Sequence, residues 1–270
     1  MSAYTCAQPF SPAPGAIAPA MAAYLGTDEK PPPNSLDIMA ALRSFTIKFA
    51  LAVGGMMAVA LPWADPDSLI LSYQQLADLE KTFGRSARDR IEQWQQLMTD
   101  HAGDSEEGKL DAVNEFFNRL SFVDDLIHWG KNDYWATPVE MLATSGGDCE
   151  DFSIAKYFTL KTMGVDESKL RLTYVKALKL NQAHMVLTYF PAPSSEPLVL
   201  DNLVGDIRKA GQRKDLLPVY SFNGEGLWLA KQRGKSGQMV SGSDRLSLWQ
   251  DLLQRMRQQN TPTSRQDAQP

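Results

Sequence analysis

The chain has 270 residues, 43% hydrophobic and 22% charged, with 27 basic against 32 acidic side chains and a net charge of −5. That balance excludes a largely disordered chain, a fibre and a polytopic membrane protein, and the negative sign argues against nucleic acid or anionic lipid as a partner. Two cysteines are too few for a disulfide framework or a cysteine-based structural zinc site, and three histidines too few for a histidine-rich metal centre.

Residues 1–38 are rich in Ala and Pro, with Pro31, Pro32 and Pro33 in succession and neither helical nor strand periodicity. They read as an unfolded extension or as the product of a start codon chosen too early, translation then beginning at Met39. Residues 39–64 have the layout of a signal peptide: Arg43 and Lys48, an apolar run over 49–61, then small residues. Cleavage falls after Ala58-Val59-Ala60 or near Ala64. The run is short beside the roughly 20 residues of a membrane-spanning helix, and an uncleaved tether is the alternative. On this reading the protein works outside the cytosol, and Cys149 is the one cysteine of the exported chain.

Residues 65–257 read as one domain, followed by a flexible tail over 258–270. Leu76, Leu79, Phe83, Ala87, Ile91, Trp94 and Leu97 predict a helix over 74–99, weakened at Gly84. A second helix spans 109–120. Residues 121–147 look mostly irregular; their Trp129, Tyr134 and Trp135 are core anchors or part of a substrate surface. A third helix runs over 148–163 and stops at Gly164. The period then changes to two. Strands are expected over 170–180, 183–190 and 198–200, a hairpin over 218–230 around Asn223-Gly224, and a last amphipathic helix over 243–257. Helices first (about 65–165) and an antiparallel meander afterwards (about 166–240) define an α+β fold, a helical N-terminal lobe packed on a β-sheet lobe.

The chemistry converges on Cys149, His184 and Asp201. Cys149 follows Gly146-Gly147-Asp148 at the start of a helix, where unpaired N–H groups stabilise a thiolate. His184 opens one strand and Asp201 closes the next. A hairpin centred in their connection sets the two opposite each other, about 5 Å apart at Cβ. Nucleophile, base and orienting carboxylate are then all present. A buried structural cysteine and a structural histidine are the bland alternative. The acids Asp148, Glu150 and Asp151 around the thiol are either first-turn residues of the helix or oxygen ligands for a hard cation such as Ca²⁺. The Cys149 N–H, with Gln182, is a candidate oxyanion donor.

The stretches DYWATPVEML (133–142), GGDCEDFSIAKYFTLKTMGV (146–165), NQAHMVLTYF (181–190) and PLVLDNL (197–203) resemble the bacterial transglutaminase-like cysteine proteinases. The resemblance spans about 94–230. It implies a papain/transglutaminase-like α+β fold with Cys149, His184 and Asp201 as the catalytic triad, and Ca²⁺ held by Asp148, Glu150 and Asp151. It further implies a periplasmic endopeptidase that cuts a large surface adhesin near its N-terminus, in an Ala-Ala context, and so releases biofilm. An inner-membrane receptor that senses cyclic di-GMP would sequester it. A transglutaminase or acyltransferase using the same triad, and an inactive calcium-stabilised binding module, are the competing readings.

Overall fold

A computed structural model describes residues 69–229 and 238–260; the expected extension over 1–38, the signal peptide over 39–64 and the tail from 261 lie outside the described residues. Helix α1 (Tyr73–Phe83) and α2 (Arg85–Asp100) replace the single helix expected over 74–99. The break is at Gly84, whose φ of +83° no helix accommodates and which a side chain rarely adopts. Helix α3 (Glu106–Phe117) begins earlier than its apolar pattern, because Ser105 accepts a hydrogen bond from Gly108 N and caps it.

The segment read as irregular is built from short elements. Strand β1 (Ser121–Phe122) pairs in parallel with β2 (Gly146–Gly147), and between them lie α4 (Asp125–His128) and α5 (Pro138–Thr144). Such pieces are too short to carry a hydrophobic period. Each is held by contacts from outside itself. Arg255, on the C-terminal helix, donates to Trp135 O and Glu140 Oε2, both at 2.5 Å, and its guanidinium stacks 4.4 Å from the Tyr134 ring centre. Trp135 stacks on Phe222 at 5.5 Å, while Trp129 and Tyr134 pack partly buried against the same core.

Helix α6 (Cys149–Thr162) is the centre of the molecule, buried on every side from Cys149 to Leu160. Its neighbours are α3 and α5 on one side and β3 (Leu170–Ala177) and β4 (Gln182–Tyr189) on the other. This is why its sequence shows so little amphipathic contrast: a helix covered all round has no polar face. Its buried Thr159 is paired: Trp94 Nε1 donates to Thr159 Oγ1 at 2.9 Å.

Strands β5 (Leu198–Leu200), β6 (Arg208–Lys209), β7 (Leu216–Phe222), β8 (Leu227–Leu229) and β9 (Gln238–Ser241) complete an antiparallel sheet in the order β6-β5-β4-β3-β7-β8-β9. The hairpin around Asn223-Gly224 forms, and the Asn223 side chain closes it by accepting from Glu225 N and Gly226 N. Helix α7 (Ser247–Asn260) starts later than expected, after a short 3-10 turn, and takes in 258–260 of the supposed tail. Its Trp249 stacks on Phe158 of α6. Among the described residues no helix is long and apolar enough to cross a membrane.

Candidate active site

Cys149 is the first residue of α6 and is buried. The turn that delivers it is tight. A Cβ on Gly146 would lie 2.7 Å from Ser121 O, and one on Gly147 would lie 2.7 Å from Asp151 Cβ, so both positions exclude any side chain without backbone movement. Asp151 fastens this turn from within: its carboxylate accepts from Ala136 N at 2.7 Å and from Asp148 N at 3.3 Å. One turn further on, Ser153 Oγ donates to Cys149 O and to Met185 O at 2.9 and 3.1 Å. That clamp lays the N-terminal turn of α6 against β4 next to His184.

His184 is 1% exposed, and its Nε2 is 2.8 Å from Asp201 Oδ1. The other ring nitrogen, Nδ1, is buried and has no hydrogen-bond partner. The pairing is not the one expected. The β4–β5 ladder runs Leu187↔Leu200, Thr188↔Val199, Tyr189↔Leu198. Its continuation sets Asp201 opposite Val186, two residues from His184, and Asp201 lies just beyond the end of β5. A slip of two residues keeps both side chains on one face, since the pleat repeats every two. The imidazole crosses the diagonal.

Asp201 is held on all sides. Oδ1 also accepts from Leu203 N at 3.0 Å, Oδ2 accepts from Arg213 Nη2 at 2.7 Å, and its carbonyl accepts from Asn118 Nδ2 at 2.9 Å. Burial alone would push this carboxyl up; the His184 bond and charge, the Leu203 N–H and the Arg213 guanidinium overturn that and hold it well below the ordinary carboxylate range. Arg213, 2% exposed, is in turn gripped by Asp215 at 2.8 Å. Nothing in the sequence marks Arg213, which joins the site only through the fold. Gln182 lies two residues before His184 on the same face of β4, and its Oε1 is buried without a partner.

The three acids around Cys149 are buried, and two more join them: Asp125 at the start of α4 and Asp133 in the loop before α5. Ligand atoms within each of the sets Asp125–Asp148–Asp151, Asp125–Asp133–Glu150 and Asp148–Cys149–Glu150 lie within 4.8 Å of one another. Burial, then the neighbouring carboxylates, push Asp148 and Asp151 well up; burial chiefly raises Asp125 to about 6 and Glu150 to about 7. Oδ1 of both Asp125 and Asp148 is buried without a hydrogen-bond partner. Glu150 Oε2 is 2.9 Å from Cys149 Sγ. Carboxylates packed so closely cannot all be ionised near neutrality unless a cation lies among them, and their oxygens suit a hard one. Asp125 and Asp133 fall in the segment read as irregular, and a sequence offers no measure of their distance from Asp148.

A buried cysteine heading a helix, a histidine fixed by a carboxylate on the facing sheet, and a helical lobe against an antiparallel sheet together define a papain/transglutaminase-like thiol hydrolase. The sequence profile of the bacterial transglutaminase-like cysteine proteinases matches residues 84–216. LapG from Legionella pneumophila has a similar solved structure: 44% identity, TM-score 0.60, covering 69% of this chain and 98% of that one. The EGTA-treated LapG gives 45% and 0.60 over 69% and 98%, and the calcium-bound LapG gives 45% and 0.59 over 69% and 99%. No curated protein matches the chain. The chain belongs to the bacterial transglutaminase-like cysteine proteinase family and is a LapG-like cysteine protease.

Proposed function

We propose that this protein is an exported, calcium-dependent endopeptidase that works through Cys149, His184 and Asp201. The observation that carries this reading is the division of labour on one imidazole. Nε2 is spent on Asp201, while Nδ1 is buried and unpaired on the strand clamped to the Cys149 turn.

In the reaction the Cys149 thiolate attacks the scissile carbonyl carbon, and the C–N bond breaks as His184 Nδ1–H protonates the leaving amine. Water then gives a proton to Nδ1 and its oxygen attacks the thioester, which releases the acid and restores the Cys149 thiolate and the Nδ1-protonated imidazolium. Asp201 keeps the other nitrogen protonated throughout and stabilises the imidazolium when it forms. The Cys149 N–H at the helix start is one donor to the developing oxyanion, and Gln182 is a second candidate.

The clustered acids fit Ca²⁺: oxygen donors in number, two of them with an unpaired buried oxygen, and a structural relative solved in its calcium-bound form. Asp125, Asp133, Asp148, Glu150 and Asp151 would hold the ion. Bound there, it would neutralise the charge crowded beside the thiol and stiffen the turn that carries Cys149.

The substrate we propose is the N-terminal region of a large surface adhesin, cut in an Ala-Ala context, with release of adhesin and biofilm as the consequence. An inner-membrane receptor that binds cyclic di-GMP would sequester the protease in the periplasm. The test is cleavage of an N-terminal adhesin fragment from the same genome by wild type and Cys149→Ala, each in calcium and in EGTA. Cleavage by wild type alone, lost in EGTA, supports the reading. A folded wild type that leaves the fragment intact in calcium contradicts it.

A further inference from the structure

A buried lysine stands behind the His184–Asp201 pair and has no part in the chemistry above. Lys156 lies on α6 two turns after Cys149 and is 1% exposed. Its Nζ donates to Asn114 Oδ1 at 2.8 Å and to Asn118 Oδ1 at 2.7 Å, both on the α3 side of the helix. With their oxygens turned to the lysine, both amides present their NH₂ groups to the backbone that follows β5. Asn118 Nδ2 donates to Asp201 O at 2.9 Å, and Asn114 Nδ2 donates to Gly205 O at 2.7 Å. The 201–205 turn is therefore held at both ends by amides whose orientation one amine decides.

We propose that Lys156 is a positioning residue for the His184–Asp201 pair, acting through Asn114 and Asn118 to fix the turn that carries Asp201. The inference rests on Asp201 being the group that orients His184. An amide can rotate by half a turn with almost no change of shape, so packing alone leaves its orientation open. Without the lysine, Asn118 Oδ1 loses its amine donor and Asn114 Oδ1, which is buried, keeps only a long bond from Asn118 Nδ2 at 3.4 Å, while flipping either amide would set an oxygen against a carbonyl oxygen. The amine removes that freedom. Burial lowers Lys156 to about 7, opposed by the charge of Asp201. The neutral amine still has two N–H groups for its two acceptors, so the arrangement holds in either protonation state. Arg213 holds the Asp201 carboxylate, whereas the lysine and its amides hold the backbone beneath it; an error of about 1 Å there is enough to cost about a hundredfold in rate.

The experiment compares wild type, Lys156→Met, Lys156→Gln, Asn118→Ala and the Lys156→Met/Asn118→Ala double variant, below each protein's unfolding temperature. It reads kcat and KM on the adhesin fragment and the low-field proton resonance of His184 Nε2–H. Lys156→Met is expected to lower kcat about tenfold or more with KM unchanged, and to broaden or abolish the resonance. Lys156→Gln, which keeps two donors without charge, is expected to recover most of both. The double variant should be no worse than the worse single one, because both substitutions cut the same chain of bonds. Wild-type kcat and resonance in Lys156→Met, no rescue by Gln, or losses that add in full would each overturn the proposal. If Lys156→Met does not fold, Asn118→Ala is read in the same way. If wild type cuts nothing, the adhesin-substrate reading fails, and the resonance still decides the role of Lys156.

Discussion

His184 Nε2 and Asp201 Oδ1 are 2.8 Å apart although the strand ladder sets Asp201 opposite Val186. The contact depends on the turn after β5 as much as on the sheet, because Asp201 has left the ladder when it meets the imidazole. Replacing Asp201 by Asn keeps the shape but offers the ring a donor where it needs an acceptor. The expected result is a kcat lower by about three to four orders of magnitude, with KM little changed. Steady-state kinetics on the adhesin fragment checks it.

Asp201 also ties stability to acid. Its carboxyl is held below its ordinary value in the folded chain, so the unfolded chain binds that proton first. The stabilisation is fully present above about pH 4, the unfolded value, and fades as pH falls below it. Asp201→Asn lacks this contribution at every pH. The gap in melting temperature between wild type and the variant should therefore be widest near neutrality and narrow from about pH 4 downward. A gap that stays constant from pH 7 to pH 3 would contradict the assignment.

Arg213 is worth more to this fold than an ordinary surface arginine. Its removal as Arg213→Met leaves the Asp201 charge buried with one partner fewer, and breaking a buried pair in this way costs about 3–5 kcal/mol. Arg208→Met, in an exposed pair with Asp206, should cost about 1 kcal/mol or less. Denaturant unfolding of the two variants separates the cases.

Calcium should stabilise the protein without any substrate present. A ligand that binds only the folded state at a hundredfold excess over its Kd adds about 2.7 kcal/mol. The melting temperature is expected to rise with calcium and to fall back in EGTA. Asp148→Asn, Asp125→Asn or Asp133→Asn should each reduce the rise. An equal response to magnesium would speak against a large, flexible oxygen site.

Much of this was legible in the sequence because it is local. The apolar period of the long helices, the switch to alternation after Gly164, the Asn223-Gly224 turn and the glycines before Cys149 each act within a few residues. The rest is long-range. Arg213 meets Asp201 across 12 residues, and Asp125 meets Asp148 across 23, with no pattern at either end. The register of β4 and β5 is fixed by an eight-residue connection, which leaves the ladder free to slip by two while both faces stay matched. Elements as short as those between β1 and α6 carry no period of their own, and distant groups help to place them, as Arg255 pins the segment from Trp135 to Glu140.

The central claim is a hydrolytic thioester route through Cys149, and oxygen exchange tests it most directly. The adhesin fragment is cut in ¹⁸O-labelled water with calcium, and the new C-terminus is weighed by mass spectrometry beside a Cys149→Ala control. The account predicts a single cut by wild type alone, with one labelled oxygen in the new carboxylate. An unlabelled terminus, an acyl group transferred to an added amine in place of a free acid, or equal cutting by Cys149→Ala would contradict it.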